Sequence, residues 1–517
     1  MMLLRVSVYF ISLSLIIGFS HLGFAAAHLQ CLKLTAPKIS VQLTSDGKLP
    51  YDPTTTGFAH ITFYNAVLGR LIHLNTNLTV QPGLLEDAYW DYKNQRYILK
   101  LRSNLRFHNG RPVVAEDLDF SLVRFFLSSK RVDQVALLKN IRGIDRLSLG
   151  KPYKPWSVSG IKRLDERTVA VSLAAPNPAF LYSLADGWIS LVPREELNDD
   201  YVTWKSFPIG AGPYRVDTVN GQNLQICKVS GEASSPSVVE FVSDNKSKAD
   251  ILAFVASDSS KKPLTKIYGS GPIGFTGLFF NTNNPLGANI HFRKALSRAL
   301  QRGPLVEGNS DFSPLTEVLT SNFYGRLSSR EVFDLKDAKA EFEKVPLHLR
   351  RGPIKANWFS GRSELTSSDK RTIDLVQKQL QALGIEVVFE AGTHPTFAEN
   401  DVETVLRIDD RGTAFPDPLV IFRAFEKPAF LSPFFPKNNV VFKALLDKAA
   451  QAQSLDVKAN AVFALSKYFD ENSIVIPLYE RKTVYWVNPD KVADLGVQTG
   501  ITFDLERVRV VAKGPGQ

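Results

Sequence analysis

Apolar residues along this chain recur in two rhythms. In "QRYILKLRS" the positions Tyr97, Leu99 and Leu101 share one side of an extended chain, and in "ERTVAVSLAAP" Val169, Val171 and Leu173 do the same. That period of two predicts strands. In "HFRKALSRALQRG" the apolar residues Phe292, Ala295, Leu296, Ala299 and Leu300 fall on one helical face. Arg293, Lys294, Arg298 and Arg302 take the other, and Gly303-Pro304 stops the helix. "DKRTIDLVQKQLQALGIEVVFEAG" reads as a helix ending at Gly384 followed by a strand, an αβ unit. Phe63, Ala66, Val67 and Leu71 predict a helix over 58–74, with "NTNLTVQPGLLEDAYW" as loop. Residues 140–160 read as an exposed loop, "FPIGAGPYRVDTVNGQNLQICKVS" as a turn feeding a hairpin, and "FTGLFFNTNN" as a strand. A helical pair fills 440–470, and "IVIPLYERKTVYWV" closes with strands. The pattern is mixed α/β with strands at both ends.

One stretch breaks the simple reading. "RSNLRFHNGRPVVAEDLDFSLVRFF" places His108 beside Glu116, Asp117 and Asp119, which suggests a metal or acid/base cluster. Local chemistry gives another account. His108-Asn109-Gly110 is a turn tripeptide, and Pro112 holds Arg111 extended. From Ala115 the pattern turns helical. Glu116 and Asp117 then lie in the first turn, facing the positive end of the helix dipole, and Asp117 can reach back to the N–H of Val114. Val114 stands where a capping Ser or Thr is usual, which forgoes about 1 kcal/mol.

The N-terminus changes the picture more than bulk composition does. Arg5 precedes an apolar run from Val6 to Phe19, and Ala25-Ala26-Ala27 follows. Charge, apolar run and small residues together predict a secretory signal peptide over 1–27, cleaved after Ala27 or Ala25. Gln30 before Cys31 is a poor fit to the small residue that lipid attachment requires, so an anchor is not expected. With 517 residues the chain is too long for one core, since cores stop growing near about 250–300 residues. The formal charge of +10 is dispersed, and its densest cluster, His348-Leu349-Arg350-Arg351, is short. No basic stripe with interleaved aromatics points to nucleic acid. Cys31 and Cys227 are the two cysteines; an exported chain could bridge them or bury them as thiols.

Enzymatic signals are sparse. HExxH, GxSxG, Walker A and paired CxxC motifs are missing from the sequence, so no enzyme, cofactor or metal is expected. "GSGPIG" matches a dinucleotide fingerprint through Gly269, Gly271 and Gly274, but Pro272 sits inside it and a strand follows it. A glycine hinge or turn is the better reading.

The block "VQPGLLEDAYWDYKNQRYILKLRSNLRFHNGRPVVAEDLDFSL" resembles the signature of bacterial extracellular solute-binding protein family 5, the oligopeptide-, dipeptide- and nickel-binding subunits of ABC importers. "GAGPY" at Gly210–Tyr214, "LFFNTNN" with "HFRKALSRAL", and "IPLYERKTVYWV" resemble later family blocks in the same order. The resemblance implies a two-lobed, class II-like α/β periplasmic fold with two crossing strands and an extra α/β subdomain on lobe one. Lobe one would comprise 28–57, 183–270 and 478–517, the subdomain 58–182, and lobe two 271–477. It implies a periplasmic monomer that closes on a peptide or related small solute and delivers it to an inner-membrane ABC permease. It also implies a Cys31–Cys227 disulfide. Peptide binders of the family hold the ligand's amino terminus with an aspartate in A-D-Y-x-D-P; here the stretch is Thr413-Ala414-Phe415-Pro416-Asp417-Pro418, and Ala414 replaces the acid. Either Asp409 or Asp410 supplies the charge, or the ligand is not a peptide with a free amino terminus, or both acids are solvated loop residues. Trp358 and Phe415 are candidate cleft walls, or core. The missing acid also admits a receptor or interaction protein that keeps the fold without transport.

Overall fold

The computed structural model describes residues 29–32, 37–42, 58–75, 79–128, 138–185, 187–220, 223–242, 249–253, 263–328, 333–359, 365–392, 401–412, 417–425, 439–496 and 503–511. Among these residues, one eleven-stranded mixed sheet runs through both halves of the molecule. Its axis is a pair of long antiparallel strands, Thr265–Phe280 and Val475–Val487, paired from Thr265 opposite Val487 to Phe279 opposite Val475 with shifts of register between. On one flank lie Leu406–Gly412, Ile354–Phe359 and Val387–Ala391. On the other lie Ile251–Ala253, Ile39–Gln42, Val238–Val242 and the hairpin Tyr214–Asn220 with Asn223–Lys228. A separate four-stranded sheet joins Leu85–Asp91, Arg96–Leu101, Thr168–Val171 and Ile161–Arg163.

Three buried clusters cover this framework. One gathers residues such as Val41, Phe63, Leu118, Tyr214, Tyr485 and Leu505. The other two flank the opposite half of the sheet. Leu278, Phe280, Leu296 and Val376 belong to one, and Phe275, Phe279, Phe422 and Phe469 to the other. Successive side chains of a strand point to opposite faces. Thr265–Phe280 therefore feeds both clusters, which is why "FTGLFF" is apolar without alternation.

"GSGPIG" forms neither a turn nor a nucleotide loop. It is part of the long strand, whose register against its partner shifts between Tyr268 and Pro272 and between Pro272 and Gly274. Glycine is needed there for close approach: a Cβ on Gly274 would lie 2.4 Å from the Arg411 carbonyl, and one on Gly269 2.8 Å from Thr483 Cβ. The helix expected over 58–74 stops earlier, at Phe58–Val67, and Ile72–Leu74 is a strand. The segment expected to be loop forms strands Val80–Pro82 and Leu85–Asp91. Its solvent face carries Glu86, which pairs across to Lys100 at 2.7 Å, so pairing rather than apolar alternation defines the strand. The helix Ile290–Ala299 also departs from its expected polar face. Arg293 and Arg302 are buried, donating to the carbonyls of Ala288 at 2.6 Å and Leu300 at 2.6 Å.

The His108 stretch folds as a turn and a helix start, Ala115–Leu127. Asp117 accepts from the Val114 N–H at 2.9 Å and pairs with Arg111 at 2.7 Å. Asp119 is buried and accepts from the Tyr153 hydroxyl at 2.6 Å and the Trp156 N–H at 2.8 Å. His108 is buried too. Its Nδ1 accepts from the Gly210 N–H at 3.3 Å, so its Nε2 donates to the Gly212 carbonyl at 2.9 Å. The stretch thus fastens onto "GAGPY". Gly210 and Gly212 press on the end of the helix Phe58–Val67, where added Cβ atoms would lie 2.3 Å from the Val67 carbonyl and 2.4 Å from that of Ala66.

Candidate functional site

The wall built by Leu406–Gly412, Thr265–Phe280 and Val475–Val487 holds the two acids singled out by the sequence. Asp409 stands opposite Gly277 and Asp410 opposite Thr276, so their side chains leave opposite faces of the sheet. Asp410 accepts from the Thr276 hydroxyl at 2.5 Å and pairs with Arg481 at 2.9 Å. Asp409 is buried. It accepts from the Asp410 N–H at 2.7 Å and pairs with Arg411 at 2.5 Å. Burial pushes the Asp409 carboxyl up to about 7, with Arg411 and Arg407 pulling the other way. Burial likewise lowers Arg411 and Arg407. Both acids sit in strand rather than loop, and each already has a guanidinium partner.

Ala414 and Phe415 lie outside the described residues. The motif's second acid, Asp417, is described and buried. It accepts from Lys458 Nζ at 2.6 Å, the Leu419 N–H at 3.1 Å and the Tyr324 hydroxyl at 3.3 Å. Lys458 is itself buried, and desolvation lowers its pKa. Burial raises the phenol of Tyr182, and the charge of Asp417 raises it further. Trp358 is half-buried, opposite Ile408 in register, and packs on the cluster of Leu278 and Val376. It therefore stands one strand away from Asp409.

Sequence reasoning missed Thr276, Tyr324, Lys458 and Arg481. Asp417 was visible inside the motif, but its cation is 41 residues away, on the helix Leu455–Glu471. Nothing local marks a lysine in a helix as a buried counter-ion.

Two other groups offer metal-type ligands. Cys31 and Cys227 are joined by a disulfide, with Cα atoms 5.6 Å apart, beside Asp217. His73 stands between Asp504, 3.3 Å from its Nδ1, and Glu506, 3.4 Å from its Nε2. The carboxylates occupy different ring nitrogens, and Arg70 lies 3.0 Å from Asp504. One ligand atom from each of the three side chains lies within 4.8 Å of the others, and Arg70 competes for Asp504.

The wall of crossing strands agrees with comparison to known proteins. Residues 79–228 and 243–430 match the model for the middle region of bacterial extracellular solute-binding proteins, family 5. This chain belongs to that family. Family members are binding proteins. The probable ABC transporter periplasmic-binding protein SapA of Escherichia coli is 22% identical over 408 residues, covering 72% of each chain. Among solved structures, the ABC transporter substrate-binding protein CtaP of Listeria monocytogenes superposes with a TM-score of 0.75 at 16% identity, covering 92% of this chain and 99% of that one. A dipeptide-binding protein of a Pseudoalteromonas species, solved with Met-Leu, gives 0.71 at 15% identity, covering 92% and 100%. At such identities the structures establish the two-lobed α/β fold.

Proposed function

We propose that this protein is exported to the periplasm, captures a peptide or related small solute between its lobes and hands it to an inner-membrane ABC permease. The observation that carries this reading is the pair of crossing strands between two separately packed halves, in a chain that belongs to a solute-binding family. The bound peptide of the Pseudoalteromonas protein and the transporter assignment of SapA support the ligand class and the partner. Lobe one takes 28–57, 183–270 and 478–517, the subdomain 58–182, and lobe two 271–477.

Within that reading, Asp409 and Asp410 brace the wall and do not anchor a ligand ammonium. A buried ammonium requires an anion with unspent charge. Arg411 already neutralises Asp409, and Arg481 neutralises Asp410. With Ala414 in the anchoring position, the ligand is a solute whose amino terminus is blocked, absent or left at the cleft mouth.

The test is thermal unfolding of protein refolded from denaturant to strip endogenous ligand, screened against free peptides, N-acetylated peptides and other small solutes. A native-state ligand raises apparent stability by mass action. Stabilisation by N-acetylated peptides at least equal to that by their free counterparts is expected. Stabilisation by none of these solutes would overturn the reading. Free peptides alone would overturn the proposal about the amino terminus and leave transport standing.

A further inference from the structure

A cavity of about 680 Å³ lies within the first half of the molecule, and none of the crossing-strand acids lines it. It opens where the segment after the helix Phe58–Val67, the end of the strand Arg96–Leu101, the turn after the strand Asn223–Lys228 and the C-terminal segment meet. That volume falls in the range of about 300–1,000 Å³ typical of small-molecule sites. Gly231 keeps part of the wall bare: its φ of +102° suits glycine, and a Cβ there would find only Pro213, at 3.9 Å.

Four arginines line this cavity; Arg70 is held by Asp504 at 3.0 Å, which leaves the guanidiniums of Arg102, Arg507 and Arg509. Arg102 and Arg509 are exposed and have no carboxylate partner among the described residues. Arg507 lies 3.9 Å from Asp504, which is engaged more closely by Arg70 at 3.0 Å. The carboxylates that line the same space are each occupied. Glu506 faces His73 at 3.4 Å, Asp494 accepts from the Gly496 N–H at 2.9 Å, and Glu232 from the Ser234 hydroxyl at 3.3 Å. They still weaken the field, so a single negative charge gains little here. A ligand with two or more charged oxygen groups can bridge guanidiniums, whose planar forks match phosphate and carboxylate oxygens.

We propose that this cavity binds a small multivalent oxyanion, independently of the solute held between the lobes. The experiment is titration calorimetry of the stripped, full mature protein at low ionic strength, where exposed charges are least screened. The probes are pyrophosphate and citrate, with acetate as the monovalent control. Saturable binding of pyrophosphate or citrate, and none of acetate, is expected; the tighter of the two assigns the ligand to phosphate or to carboxylate chemistry. Arg102→Gln with Arg509→Gln should weaken it by roughly tenfold or more, the loss expected when charge-assisted hydrogen bonds are removed. Both side chains are exposed, so an unchanged melting temperature of the ligand-free variant reports an intact fold. Failure of both multivalent probes to bind, or equal binding to the folded double variant, overturns the proposal.

Discussion

Lys458 Nζ lies 2.6 Å from the Asp417 carboxylate, and both side chains are buried. A buried pair gives little net stability compared with an apolar replacement of both, but removal of one partner strands the other's charge. Lys458→Met should therefore lower the free energy of urea unfolding by about 3–5 kcal/mol. The double variant Lys458→Met with Asp417→Asn should recover part of that loss, because the amide still accepts from Tyr324. A single variant as stable as the wild type would show that Asp417 is not held as a buried charge.

The Asp410 pairing gives a prediction about ligand. Asp410→Asn keeps an acceptor for Thr276 and loses the charge opposite Arg481. If the acid braces the wall, the ligand identified by the screen binds the variant within about threefold of the wild type, and stability falls by about 1–2 kcal/mol. If Asp410 instead holds a ligand ammonium, affinity falls on the order of a hundredfold. Calorimetric titration of both proteins with one ligand separates the two.

The framework was legible where local sequence carried the physics. The helix Ser367–Gln381, Gly384 at φ +75° and the following strand read directly from the chain. The capping role of Asp117 did too, because a carboxylate in a first turn meets exposed N–H groups whatever lies beyond. The buried arginines 293 and 302 did not, since their partners are carbonyls, which no side-chain pattern encodes. The strand Leu85–Asp91 was hidden by charges that satisfy one another across the sheet. At the wall, Asp409 and Asp410 were found, but Arg481 reaches Asp410 only because two strands cross. The pairing that decides what those acids do is a property of topology.

Asp504 should give the protein an acid-side dependence. Burial acts to raise its pKa, but Arg70, His73 and Arg507 outweigh burial and hold it at about 2, against an ordinary value of 3.8. A depressed acid contributes stability that is full above its unfolded value and is lost as pH falls through the folded one. The shift corresponds to about 2–3 kcal/mol, present above about pH 4 and lost toward pH 2. Burial raises Glu506 beside it, so that residue's contribution has the opposite sign and declines as pH rises. Comparison with Asp504→Asn isolates the first effect: wild type should lose about 2 kcal/mol more than the variant between pH 4 and pH 2 in urea unfolding. Parallel pH profiles would mean that the carboxylate is not ion-paired.

The disulfide between Cys31 and Cys227 spans 196 residues, and the segment it fixes touches two parts of the molecule. The Leu29 N–H donates to the His108 carbonyl at 2.9 Å, and the Leu32 N–H to the Lys228 carbonyl at 2.8 Å. The bridge therefore holds the start of the chain between the His108 turn and the strand Asn223–Lys228. Cross-linking residues so far apart in sequence restricts the unfolded ensemble strongly, and such bridges typically contribute about 2–4 kcal/mol. Cys31→Ser with Cys227→Ser should lose that amount in urea unfolding. The wall of Asp409 and Asp410 is distant in the fold, so ligand affinity should stay within about twofold. Alkylation and mass analysis without reductant should find no reactive thiol in the wild type. Two alkylated cysteines would show that the bridge does not form.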